Sequence, residues 1–83
     1  LGSATRDKDG CKVTNGDFVI LVSLPAFLTT DLAYRDVRAI ESQIGTTLKV
    51  MGINDIGWIE LEFTGDDGVL RTIWVEGEHL KRA

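Results

Sequence analysis

His79 is the single histidine of the chain, and Glu76 and Glu78 flank it closely. Imidazole and carboxylate are the donor types of metal sites, and an imidazole also titrates near neutral pH. One histidine in a short terminal stretch is an incomplete ligand set, so no metal and no cofactor is expected. Asp66 and Asp67 sit between Gly65 and Gly68. Their spacing lacks the oxygen pattern of a calcium loop, and a tight turn asks for small polar residues in any case. Ser3, Ser23 and Ser42 share one candidate base in His79, with no local signature of nucleophilic catalysis. The glycines are scattered at turns and form no phosphate-cradling loop. Glu60 and Glu62 are paired by strand spacing, but a domain this small offers little depth to shift their protonation. Cys11 stands alone, which excludes an intrachain disulfide. Catalysis is therefore not expected.

The larger aromatic side chains suggest a different kind of chemistry. Trp58 and Trp74 belong to a residue type that anchors interfaces. Two readings of them stay open: a second small core beneath a helix, or an exposed patch fringed with acid. Acid is concentrated around them. Between positions 55 and 78 the acids are Asp55, Glu60, Glu62, Asp66, Asp67, Glu76 and Glu78, and the only base is Arg71. The whole chain carries nine Lys and Arg against thirteen Asp and Glu, a net charge of −4. Affinity for nucleic acid draws on counterion release by a basic surface. Only Lys49, Arg35, Arg38 and Arg71 could supply one here, so nucleic acid is not an expected partner.

Eighty-three residues suffice for one small domain, and 43% hydrophobic content is enough to order it. The longest apolar run, Phe18 to Val22, is too short to span a membrane. No signal sequence is expected, and a small domain without disulfides fits a reducing compartment, the cytoplasm. Residues 1–15 are polar with scattered apolar positions and read as a flexible N-terminal segment; residues 16–83 read as the folded domain. Within it, Phe18 to Leu24 predicts a strand buried on both faces and closed by Pro25. Thr29, Thr30 and Asp31 offer caps to a helix over 31–44, whose stripe is Ala33, Val37, Ile40 and Ile44. Asp31 could pair with Arg35, and Gly45 could end the helix. Strands are then expected over 46–53, 57–64 and 69–75, with turns at Asn54-Asp55 and Gly65 to Gly68. In the second of them Ile59, Leu61 and Phe63 share one face, and Trp58, Glu60 and Glu62 the other. Which face of 69–75 lines the core is ambiguous from alternation. A single helical turn over 76–80 and a short edge strand over 81–83 complete the order.

That order resembles a mainly β, SH3-like five-stranded barrel with an α-helix inserted in the first connection. Gly16-Asp17-Phe18-Val19 is similar to the opening of many small barrels of this class. Ile44-Gly45 with Leu48 and Val50, then Glu62-Phe63, and finally Trp74-Val75-Glu76 with Leu80 are similar to their later strands. The pattern recurs in the barrel of ferredoxin–thioredoxin reductase, in the nitrile hydratase β subunit and in uncharacterised bacterial one-domain proteins. The resemblance implies a non-catalytic interaction or accessory module, with accessory subunit of a metalloenzyme as one alternative and a nucleic-acid-binding barrel as another. The proline-peptide signature of signalling SH3 domains is missing. The expected contact surface is the helix and the adjacent sheet face: Tyr34, Arg38, Trp58, Glu60, Trp74 and Glu76. The expected partner is another protein with a basic surface.

Overall fold

A computed structural model describes residues 5–83. Ser3 and the rest of the opening tetrapeptide lie outside the described residues. The chain forms β1 (Phe18–Leu21), a 3-10 turn (Ala26–Thr29), α1 (Tyr34–Glu41), β2 (Thr47–Ile53), β3 (Ile59–Thr64), β4 (Leu70–Val75), a second 3-10 turn (Gly77–His79) and β5 (Leu80–Arg82). The five strands make one open antiparallel sheet in the order β4-β3-β2-β1-β5. No helix among the described residues is long and apolar enough to cross a membrane.

Period-two alternation explains which face is buried. In β3, Ile59 and Leu61 are fully buried and Phe63 nearly so, while Glu60 and Glu62 are only partly covered. In β4, Ile73 and Val75 turn inward, which places Leu70, Thr72 and Trp74 outside. All five strands contribute to one core: Val19 and Leu21, Leu48 and Val50, Ile59, Leu61 and Phe63, Ile73 and Val75, and Leu80. Each such Leu or Ile contributes roughly 1.5–3 kcal/mol by leaving water. β2 serves both halves of the sheet. Its first half pairs with β1 and its second with β3, and a bulge at Met51 shifts the register between Val50 and Gly52.

β1 is shorter than the apolar run suggests and is buried on one face only, with Phe18 55% exposed. β1 ends at Leu21, before Pro25 is reached, so the proline does not close it; Pro25 instead heads the first 3-10 turn through the Leu28 N–H to Pro25 C=O bond. The helix is also shorter than expected. Asp31 adopts φ 65°, a left-handed conformation that cannot begin a helix, so Ala33 becomes the N-cap without any side-chain bond. No Asp31–Arg35 ion pair forms among the described residues. Ile40 enters the core and Val37 is half-buried, whereas Ile44 lies beyond the helix and is 45% exposed. Gly45, at φ 88°, donates its N–H to Leu21 C=O (2.7 Å) and turns the chain into β2.

The N-terminal segment, read as a flexible lead-in, is part of the fold from Thr5 onward. Arg6 and Lys12 pair across a small hairpin, and Val13 is buried in the core. Asp7 organises the hairpin. Its Oδ1 accepts the N–H groups of Asp9 (2.9 Å) and Cys11 (2.8 Å), and its Oδ2 accepts that of Arg82 (2.8 Å) on β5. The Lys8 N–H adds a bond to Leu80 C=O (2.9 Å). The Arg82 bond first, then those of Cys11 and Asp9, hold the Asp7 carboxyl below its ordinary value although burial opposes them. Gly77 lies so close to the Arg6 carbonyl that no side chain fits between them.

Candidate functional site

β4 carries one charged residue on its inward side, Arg71, whose side chain is 9% exposed. A guanidinium in that position requires acceptors. Asp36 of α1 supplies Oδ1 to both Nε (3.0 Å) and Nη2 (2.7 Å). Asp67 of the β3–β4 turn supplies Oδ1 to Nη1 (3.0 Å) and Oδ2 to Nη2 (2.7 Å), a two-pronged contact. The triad fastens α1 to the turn. Hydrogen bonds from Arg71, and then from the Val69 N–H, hold the Asp67 carboxyl well below the usual range. Asp67 and then Asp36 make the Arg71 guanidinium harder still to deprotonate. With both carboxylates around it, Arg71 cannot serve a phosphate, which removes one of the four cations counted for nucleic acid. Asp67 is likewise committed to Arg71 rather than to a metal ion.

Beside the triad lies an open groove of about 600 Å³ between α1 and the β3–β4 turn, lined by Tyr34, Arg35, Arg38, Glu41 and Asp66 among others. Tyr34 is 74% exposed. Arg38 sits 5.7 Å from the centre of its ring and donates to its hydroxyl (3.2 Å).

The other expected residues lie elsewhere. Trp58 packs on Phe27 of the first 3-10 turn, with ring centres 5.5 Å apart. Glu60 and Trp74 face each other across β3 and β4 on the outer side of the sheet, and Gly52 occupies the same row on β2. Glu60 folds its carboxylate over Gly52, where a methyl would meet Oε1 at 2.9 Å. Trp74 remains 38% exposed. Glu76 is exposed just past the end of β4. The tryptophans therefore form no joint core under α1. Because Ile40 packs against the inner side, Tyr34 and Arg38 are separated from Glu60 and Trp74 by the thickness of the sheet. Tyr34 and Arg38 thus do not share a face with Glu60 and Trp74.

The structure does unite Ser23 and His79. The Ser23 hydroxyl lies 2.9 Å from His79 Nδ1, where the end of β1 runs beside the second 3-10 turn. The pair is exposed, and no described side chain bonds the other ring nitrogen. Among the described residues no group of three or more His, Cys, Asp or Glu is placed to hold a metal. Cys11 is free and exposed.

Sequence reasoning missed Asp7, Val13 and the Arg71 triad. The Asp-Lys-Asp-Gly run from Asp7 to Gly10 is a turn signal that marks the hairpin in retrospect. Nothing local marks the Asp36–Arg71 contact, which joins positions distant in the chain. No family model, curated protein or solved structure matches the chain.

Proposed function

We propose that this chain is a non-catalytic protein-interaction module of SH3-like architecture, acting in the cytoplasm on a partner with a basic surface. The strand order, the helix-bearing first connection and the single 3-10 turn before β5 support the architecture. The observation that carries the function is the outer face of β3 and β4. An exposed Trp74 stands there beside Glu60 and Glu62, and the only cation of the two strands, Arg71, is neutralised on the opposite side. An aromatic ring fringed by carboxylates attracts lysine and arginine by charge and by cation–π contact. The exposed Ser23–His79 pair, with no third side chain bonded to it among the described residues, supports the non-catalytic reading.

The test is an NMR titration of the labelled chain with a lysine–glycine repeat peptide and with its glutamate–glycine counterpart. The lysine peptide is expected to shift the Trp74 indole and the amides around Glu60, with shifts that shrink as salt is raised. Equal response to both peptides, or none to either, would refute the reading. DNA and RNA are expected to show no salt-dependent retardation by the chain.

A further inference from the structure

The two ends of the sheet are built differently. β5 is three residues long, carries Lys81 and Arg82, and has its free side covered. The Lys8 N–H bonds Leu80 C=O, and Asp7 accepts the Arg82 N–H, so the outward groups of that edge are satisfied. Short length, charge and cover are the usual protections of a sheet edge. β4 differs: its one charge, Arg71, is neutralised by Asp36 and Asp67, and no described backbone group covers its free side. It is six residues long, Leu-Arg-Thr-Ile-Trp-Val, with neither proline nor lysine, and it pairs with β3 from Leu70 to Val75 without a register break.

The phase of its hydrogen bonds follows from the turn. Gly65 donates to Val69 C=O (3.0 Å), one step beyond the Thr64–Leu70 pair. Bonded and non-bonded pairs alternate in an antiparallel ladder. Arg71, Ile73 and Val75 therefore bond to β3, and Leu70, Thr72 and Trp74 turn N–H and C=O away from it. No described backbone group meets them. Beside β4, on the inner side, opens a largely apolar cavity of about 290 Å³, lined by Leu28, Leu32, Ile40, Ile73 and Thr72 together with Asp36 and Arg71. Its walls come from β4, α1 and the connection that precedes α1.

We infer that β4 is a docking edge that accepts one extended segment of a partner protein as a sixth strand. This rests on the reading of the domain as a protein-binding module and adds its mode. Strand alternation sets the chemistry of the guest. Every second residue faces inward and is apolar, one of them filling the cavity between Leu28, Leu32, Ile40 and Ile73. The residues between face outward and are basic, lying along Trp74 and reaching the row of Glu60 and Glu62. A second copy of this chain is the poorer guest, because the outward residues of its own β4 are Leu70, Thr72 and Trp74, with no base to meet Glu60 and Glu62.

The probe is a capped peptide alternating valine with lysine, titrated into the whole chain. Expected are shifts and slowed hydrogen exchange at the amides of Leu70, Thr72 and Trp74. N-methylation of the peptide residues whose amides face β4 should weaken binding by about tenfold or more, since each methyl removes a ladder bond. Thr72→Pro should do the same and leave the fold intact, because the Thr72 N–H faces outward and proline is tolerated on edges. The N-methylated peptide gives the same information without altering the protein. Equal binding of the lysine–glycine and lysine–valine peptides, indifferent to N-methylation, would overturn strand addition and leave the module reading standing. Failure of both lysine peptides to bind would overturn the two together. Dimerisation of the free chain through β4, seen by sedimentation and abolished by Thr72→Pro, would overturn the choice of guest.

Discussion

Replacing Gly77 by alanine tests how firmly the N-terminal hairpin is built into the domain. The added methyl would overlap the Arg6 carbonyl oxygen, lie 2.8 Å from its carbon and stand 3.6 Å from the Asp7 Cα. These are main-chain atoms, so no side-chain rotation relieves the clash, and the hairpin must lift. Lifting exposes Val13, worth roughly 1.5–3 kcal/mol. It also breaks the Lys8–Leu80 bond, worth about 0.5–1.5 kcal/mol, and the bond from the Arg82 N–H to the Asp7 carboxylate. The expected loss is therefore at least roughly 2–4.5 kcal/mol, a large part of the ~4–12 kcal/mol available to a domain of this length. In melting temperature that is a fall on the order of 10 °C or more. Urea denaturation measures the loss, and hydrogen exchange at the Lys8 and Val13 amides shows whether the hairpin has left. A double-mutant cycle decides the mechanism. Val13→Ala alone should cost about 1–2 kcal/mol, but almost nothing in the Gly77→Ala background, where Val13 is already in water. Additive losses would refute the argument and place the cost within the 3-10 turn itself.

Asp7→Asn should flatten the acid side of the stability profile. The folded carboxyl lies below its ordinary value of 3.8, so its contribution is complete above that pH and is lost as pH falls through the lower folded value. Urea midpoints between pH 2 and 6 check this, and an unchanged slope below pH 4 would contradict it. Leu61→Ala should cost about 2–5 kcal/mol because a fully buried side chain leaves a cavity, whereas Leu70→Ala, on the exposed face, should stay within about 0.5 kcal/mol. Arg71→Met should free α1 from the turn and raise hydrogen exchange in Tyr34–Glu41 while the β3 amides stay protected, as exchange followed by NMR would show. Equal loosening of both would mean that the triad supports the whole core rather than the helix.

Much of the sheet is legible in the residues. Ile59, Leu61 and Phe63 alternate with Glu60 and Glu62 because one face of β3 is buried and the other is not, and that contrast is local. Gly65 to Gly68 and Asn54 to Gly57 mark their turns through side-chain and left-handed backbone requirements that are equally local. The helix ends are not legible in this way. The stripe from Ala33 to Ile44 has the right spacing, yet Asp31 takes a left-handed conformation and the helix ends at Glu41, leaving Ile44 exposed beyond it. The hairpin from Thr5 to Val13 escapes notice because it docks with one valine, main-chain bonds and one carboxylate. The candidate surface divides because alternation assigns Trp58, Glu60 and Trp74 to a face without saying which side of the sheet α1 will cover.

The bulge at Met51 has a further consequence. Val50 opposes Leu61, and Gly52 opposes Glu60, so one residue of β2 has no counterpart on β3. Deleting Met51 would leave every pairing partner and every inward or outward assignment as it is. Only the bend would go. That position therefore encodes shape rather than contact: exchanging its side chain should be nearly silent, whereas shortening the chain there by a single residue should straighten β2 and pull the two halves of the core apart.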